Sequence, residues 1–122
     1  MDITPIVPAG RQIIKGYGDV GFTISGIRWE GSVLVFAERT LAWAPVTLDE
    51  VTEATLAPVV EARPDLLLLG CGRAMAMVGR PLRTWLRAEG IKLEVMDTGA
   101  ACRTFNVLLA EDRSVAAALI AV

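Results

Sequence analysis

Two short stretches hold the residues whose types and spacing suit chemistry: Gly70-Cys71-Gly72-Arg73, and Asp97 and Thr98 followed by Arg103 and Asn106. Glycines let backbone approach a ligand closely, and exposed N–H groups beside them favour anions. Asp97 or Thr98 stands just ahead of an apolar helical pattern, so either can act as N-cap by accepting from a free first-turn N–H. Arg103 falls in the first turn of that helix, and Glu111 and Asp112 close it. A helix start carries about half a positive charge, so these charges run the wrong way, each costing roughly 0.3–1 kcal/mol where exposed. Local rules are broken most often at functional or strained sites. Two arrangements fit. Arg103 and the free N–H groups jointly hold an anion or a partner's carboxylate, or Arg103 pairs with Asp97 or Glu94 and only fixes the turn.

The rest of the inventory is thin. The chain has no histidine, which excludes Ser–His and Cys–His nucleophile systems and histidine metal sites. No catalytic residue, metal ligand or cofactor is assigned, since one capping aspartate is not an acid–base pair. Cys71 and Cys102 could meet at a shared sheet edge, and a helix start can lower a thiol's pKa. Cys102 also borders the helix's apolar stripe, where cysteine serves as a small hydrophobe. Arg73, Arg80, Arg83 and Arg87 fall within residues 71–88, which hold no acid. They form either a basic patch beside an anion-binding edge or a solvated helix face next to ordinary turn glycines. GCGR by itself falls short of a dinucleotide or phosphate-loop fingerprint. Met75, Met77, Trp29 and Trp43 either pack in the core or face a partner, and the core is the expectation.

These residues need elements to position them. Ile91, Leu93 and Val95 alternate with Lys92 and Glu94, the pattern of a half-buried strand over residues 91–95. On a helical wheel over residues 100–110, Ala101, Phe105, Leu108 and Leu109 share one face with Cys102 at its edge, and Arg103, Asn106 and Ala110 lie opposite. Earlier in the chain, Pro5 and Pro8 predict an extended stretch over residues 1–12. Gly16-Tyr17-Gly18 marks a turn before a strand at Gly21-Phe22-Thr23-Ile24. Ser25-Gly26 and Glu30-Gly31 separate further strands at Ile27-Arg28-Trp29 and Val33-Leu34-Val35-Phe36, and Leu41-Ala42-Trp43 fits another. Close turns join antiparallel strands, so the first third reads as a β-meander.

The character then changes. Thr47-Leu48-Asp49-Glu50 matches a capping box for a short helix that Pro58 cuts or restarts. Asp65–Gly70 is an apolar run typical of a strand buried on both faces. Pro81 opens a helix with Leu82, Trp85 and Leu86 inward and Gly90 as its stop. With residues 91–95, 100–110 and a last strand at Val115–Val122, the order is β-α-β-α-β, and such crossovers make strands parallel. The turns at Gly70–Arg73 and Met96–Gly99 then share the carboxyl edge of the sheet, where open α/β sheets keep their ligands.

Composition sets outer bounds. The 122 residues suit one domain, and 53% hydrophobic with 21% charged residues indicates a folded globular chain. A net charge of −2 argues against nucleic-acid binding, and no apolar run approaches a membrane span. The opening MDITPIVPAG, with an acid at position 2, is not expected to be a signal peptide. Two cysteines far apart make no disulfide scaffold, so a reduced, cytoplasmic protein is the expectation.

Several motifs also carry a likeness to a known family: Gly21–Gly26, Leu66–Gly72, the long run Glu94–Leu108, and the ending Glu111–Leu119. Over nearly its whole length the chain resembles the Mth-938-like family, also called domain of unknown function family 498. Cys71 stands where relatives often have threonine. The resemblance implies a single three-layer β/β/α domain with a mixed sheet over residues 1–122. The family includes a mitochondrial complex I assembly factor, which works by binding other proteins, and it carries over no catalytic residues. No transit segment is recognised in this chain, so a role in an organelle is not assumed. Two expectations follow. One is a non-enzymatic interaction or assembly factor that binds another protein or a second copy of itself through the Arg103/Asn106 helix face and Trp43. The other is a small anionic-ligand binder or enzyme that uses the loops Gly70–Arg73 and Met96–Arg103.

Overall fold

The computed structural model describes residues 10–122. The extended stretch expected over residues 1–12 lies outside the described residues for positions 1–9. Strands β1 (Ile14–Tyr17), β2 (Gly21–Ile24) and β3 (Ile27–Glu30) form a small antiparallel sheet in that order. Ser25 and Gly26, both at positive φ (50° and 82°), make the tight turn that pairs Ile24 with Ile27. The turn expected at Gly16-Tyr17-Gly18 comes later. Gly16 and Tyr17 belong to β1, and Asp19 and Val20 turn the corner.

The meander does not continue through the first third. β4 (Val33–Val35) and β5 (Thr40–Ala42) form a hairpin that joins a second sheet instead, of order β5-β4-β8-β6-β7. Its other strands are β6 (Leu66–Gly70), β7 (Lys92–Met96) and β8 (Val115–Leu119). β6 is parallel to both β7 and β8, as the β-α-β-α-β order predicts, while β4 runs antiparallel to β8. Where a short helix was expected after Thr47, the chain makes one tight helical turn, Leu48–Glu50. The Glu50 carboxylate accepts from the backbone N–H groups of Val46 and Thr47 at 2.7 and 3.2 Å. Helix α1 (Ala57–Ala62) then starts with Pro58 in its first turn, where the missing N–H costs nothing. Helices α2 (Arg80–Ala88) and α3 (Thr98–Ala110) complete the order.

Strand alternation divides the apolar residues between two cores. Val33, Val35, Leu68, Val115, Ala117 and Leu119 face Phe22 and Ile24 of the small sheet and Phe105 and Leu109 of α3. Leu34, Leu67, Leu69, Ala116, Ala118 and Ile120 point the other way, onto Val59 of α1 and Leu86 of α2. The result is three layers, with the large sheet in the middle, and each buried leucine or phenylalanine contributes about 1.5–3 kcal/mol. Trp43 is in the second core, with its indole N–H donating to the Thr55 carbonyl at 2.8 Å, and Trp29 packs against the first. Met75 and Met77 are not core residues. They stand 59% and 84% exposed on the loop between β6 and α2.

Candidate functional site

β6 and β7 end side by side, Gly70 opposite Met96, so the two glycine-containing turns meet as the topology requires. Backbone and side chain then lock them together. Cys71 N–H donates to the Met96 carbonyl at 2.9 Å, and Thr98 N–H to the Gly72 carbonyl at 2.8 Å. The Thr98 hydroxyl, fully buried, accepts from Gly72 N–H at 3.0 Å and donates to the Ile120 carbonyl at 2.8 Å. Gly70 is needed because a Cβ there would lie 3.0 Å from the Thr98 backbone. Asp97 is the N-cap, its carboxylate accepting from Ala100 N–H at 2.9 Å.

This capping changes what the helix start can offer. Thr98 N–H is taken by Gly72, Ala100 N–H by the Asp97 carboxylate, and Ala101 N–H by the Asp97 carbonyl. Gly99 is the one first-turn residue whose N–H no described residue accepts. Its α-carbon is covered by the Tyr17 ring, whose hydroxyl would stand 2.6 Å from a Cβ at this position. Three of the four first-turn N–H groups are therefore already bonded within the protein, one of them to a carboxylate, which leaves this helix start little capacity for a further anion.

Arg103, in the second turn of α3 and not the first, does not take the turn-fixing arrangement set out for it. It forms no ion pair with Asp97 or Glu94, and it donates to the Tyr17 hydroxyl at 3.0 Å. Asn106 is separate from the turns. Its amide donates to the Ile14 carbonyl at 2.8 Å and its oxygen accepts from Ile14 N–H at 2.9 Å, so it pins β1 to α3 as a strand neighbour would. Gly72, Arg73 and Asp97 line an open cleft of about 420 Å³ together with Tyr17, Gly18, Asp19, Gly99 and Val122. Tyr17, Asp19 and Val122 carry no motif that would have brought them to this edge.

The cysteines do not form a reactive pair. Both are free and buried. The Cys71 sulfur sits in its own loop, donating toward the carbonyls of Ala74 and Met96 and accepting from Ala76 N–H. Cys102 lies in the first core, and burial pushes its thiol up to about 12, opposite to the lowering that a helix start can produce. Nearby Arg103 pulls the other way more weakly. Among the described residues no group of three or more His, Cys, Asp or Glu side chains is arranged to hold a metal ion.

A small antiparallel sheet and a helix packed on one face of a mixed sheet, with two helices on the other, define the Mth938-like class of α/β protein. The chain belongs to the protein family of unknown function DUF498/DUF598, whose profile matches residues 14–120. An uncharacterised protein of Rhodobacter capsulatus is 39% identical over 112 residues, covering 92% of this chain and 86% of its own. NADH dehydrogenase (ubiquinone) 1 alpha subcomplex assembly factor 3 of Xenopus tropicalis is 31% identical over 111 residues, 89% of this chain. The match spans 61% of that assembly factor's length. Among solved structures, a Bartonella henselae protein described as an outer membrane protein superposes with TM-score 0.85 at 36% identity, covering 92% of this chain and 96% of its own. A Mth938-like domain of Bordetella pertussis gives TM-score 0.83 at 25% identity, covering 98% and 91%. Among the described residues no helix is long and apolar enough to cross a membrane.

Proposed function

We propose that this protein is a non-enzymatic interaction factor, of the assembly-factor kind named among its relatives, and that Tyr17, Arg103 and Val107 form its contact surface. The observation that carries this reading is the charge on Arg103. Its guanidinium rests on a neutral hydroxyl, with no acid of the described residues in ion-pair range. One turn further along α3, Val107 is 56% exposed, and Tyr17, whose hydroxyl accepts from Arg103, is 44% exposed. An arginine and a tyrosine next to an exposed valine resemble the centre of a protein interface, and they leave a cation for a partner's carboxylate. Two unpaired cysteines suit a reducing compartment, and a cytoplasmic setting belongs to the same proposal. Native mass spectrometry of the protein gently isolated from its own cells tests it. A complex with another protein that is lost in Arg103→Glu is expected. A lone chain in both preparations would overturn the reading.

A small-anion site is the second reading, supported by the cleft of about 420 Å³ and by exposed Arg73 on its wall. The occupied first-turn donors weigh against it, because Arg73 and Arg103 would have to supply most of the binding. A thermal-shift panel of phosphate, nucleotide and carboxylate compounds tests this reading. No upward shift in melting temperature with any of them would sink it.

A further inference from the structure

We propose that the groove between α2 and the open edge of β7 docks an extended acidic segment of a partner protein, added as a further strand of the large sheet. This names a surface separate from the Arg103 face, and it rests on different residues.

β7 is the last strand of its sheet and pairs on one side only, with β6. Lys92 N–H donates inward to the Asp65 carbonyl at 3.0 Å, and the Met96 carbonyl accepts from Cys71 N–H at 2.9 Å. In a parallel ladder alternate residues face the same neighbour, so the peptide groups of Leu93 and Val95 point to the open side. Among the described residues no backbone bond reaches them. Proteins usually blunt such an edge with proline, a bulge or a covering segment. The stretch Lys92–Met96 has no proline, its register with β6 is unbroken, and α2 and α3 pack on its faces. Its two charges, Lys92 and Glu94, pair with each other at 3.5 Å.

The charge of the groove comes from α2. Arg80, Arg83 and Arg87 fall three and four residues apart, on one side of the helix. None of them is ion-paired among the described residues. Arg83 and Arg87 line a cleft of about 380 Å³ with Gly90, Ile91, Lys92 and Leu93, so these two cations stand beside the start of the open strand edge. A strand laid there turns every second side chain toward α2. Carboxylates at those positions would meet the arginines while the backbone bonds to Leu93 and Val95. A second copy of this chain fits less well. Pairing β7 with β7 about a two-fold axis would put both α2 helices on one face and set arginine against arginine.

The test uses a fluorescent peptide alternating valine with glutamate, and its lysine counterpart. Fluorescence anisotropy reads binding, and amide hydrogen exchange reads the strand edge. The acidic peptide is expected to bind, more weakly at high salt, and to slow exchange at Leu93 and Val95. The lysine peptide should not bind. The doubly substituted Arg83→Glu, Arg87→Glu protein should bind the acidic peptide about tenfold more weakly or worse. If that protein unfolds, Arg83→Gln with Arg87→Gln gives the same reading more gently. No binding of the acidic peptide would overturn the proposal, as would binding that leaves both amides as exchangeable as before. Protection of both amides in a peptide-free dimer would assign the edge to a second copy and overturn it too. Arg103→Ala should leave peptide binding unchanged, which separates failure of this surface from failure of the Arg103 surface.

Discussion

The Arg103 guanidinium donates to the Tyr17 hydroxyl at 3.0 Å, tying the exposed side of α3 to the end of β1. Glycine at position 99 makes room for this, because a Cβ there would stand 2.6 Å from the same hydroxyl. Gly99→Ala should therefore push the tyrosine off the helix start and release Arg103. Tyr17 is 44% exposed and can swing outward, and alanine is the better helix former by about 1 kcal/mol. Melting temperature should move little while the Tyr17 ring resonances shift in the NMR spectrum. Unchanged tyrosine resonances would show that the hydroxyl is not held there.

Thr98 is expected to carry much of the stability of the site, being its fully buried polar side chain. Its buried hydroxyl serves Gly72 N–H and the Ile120 carbonyl at once, joining three chain segments. Thr98→Val keeps the shape and leaves both backbone groups without a partner, at about 1–3 kcal/mol each. Equilibrium urea unfolding should show a loss of about 2–6 kcal/mol, with Thr98→Ser much closer to the parent. Equal stability of the valine and parent proteins would mean that water reaches these groups.

How far the sequence could be read depends on where each determinant lies. The parallel strands, the Asp97 cap and the meeting of the two glycine turns follow from local alternation and β-α-β order, and the structure has them. Assignment of β4 and β5 to the large sheet was not legible, because what decides it is the pairing of Val33 with Leu119. A close turn looks the same whether the next hairpin stays in its sheet or leaves it. The wheel of α3 put Asn106 opposite the core stripe, yet β1 reaches round the helix and takes both of its hydrogen-bonding groups. Tyr17 could not be linked to Arg103 from spacing at all. Met75 and Met77 were expected inside, but the loop that bears them leaves both exposed.

Cys102 should make stability depend on alkaline pH. Burial raises the thiol from an ordinary 9.0 to about 12. The folded protein then keeps a proton that the unfolded chain releases, so stability is full below pH 9 and falls as pH rises toward 12. At pH 10 the loss should be about 1.4 kcal/mol. Urea unfolding at neutral pH and at pH 10, compared with Cys102→Ala, measures it. The variant should lack this part of the decline, and an identical decline in both would remove the thiol as its source.

Val20 stands in a conformation that disfavours it. Asp19 and Val20 are both left-handed, with φ of 52° and 58°, between Gly18 and Gly21, which exchange hydrogen bonds of 3.0 and 3.2 Å. Such two-residue turns normally hold asparagine and glycine, and a left-handed β-branched residue costs roughly 1–2 kcal/mol. The backbone holds it from both sides, since Val20 N–H donates to the Val122 carbonyl and its own carbonyl accepts from Gly31 N–H. Its side chain contributes little to the core, being 60% exposed. Val20→Asn should thus stabilise the protein by about 1 kcal/mol, seen as a higher urea midpoint at unchanged slope. The turn adjoins the cleft through Gly18 and Asp19, so the same variant also examines whether the valine is kept for contact. A more stable protein that captures its cellular partner less well would give the strained residue an interface role. A more stable protein with undiminished capture would leave the strain without one.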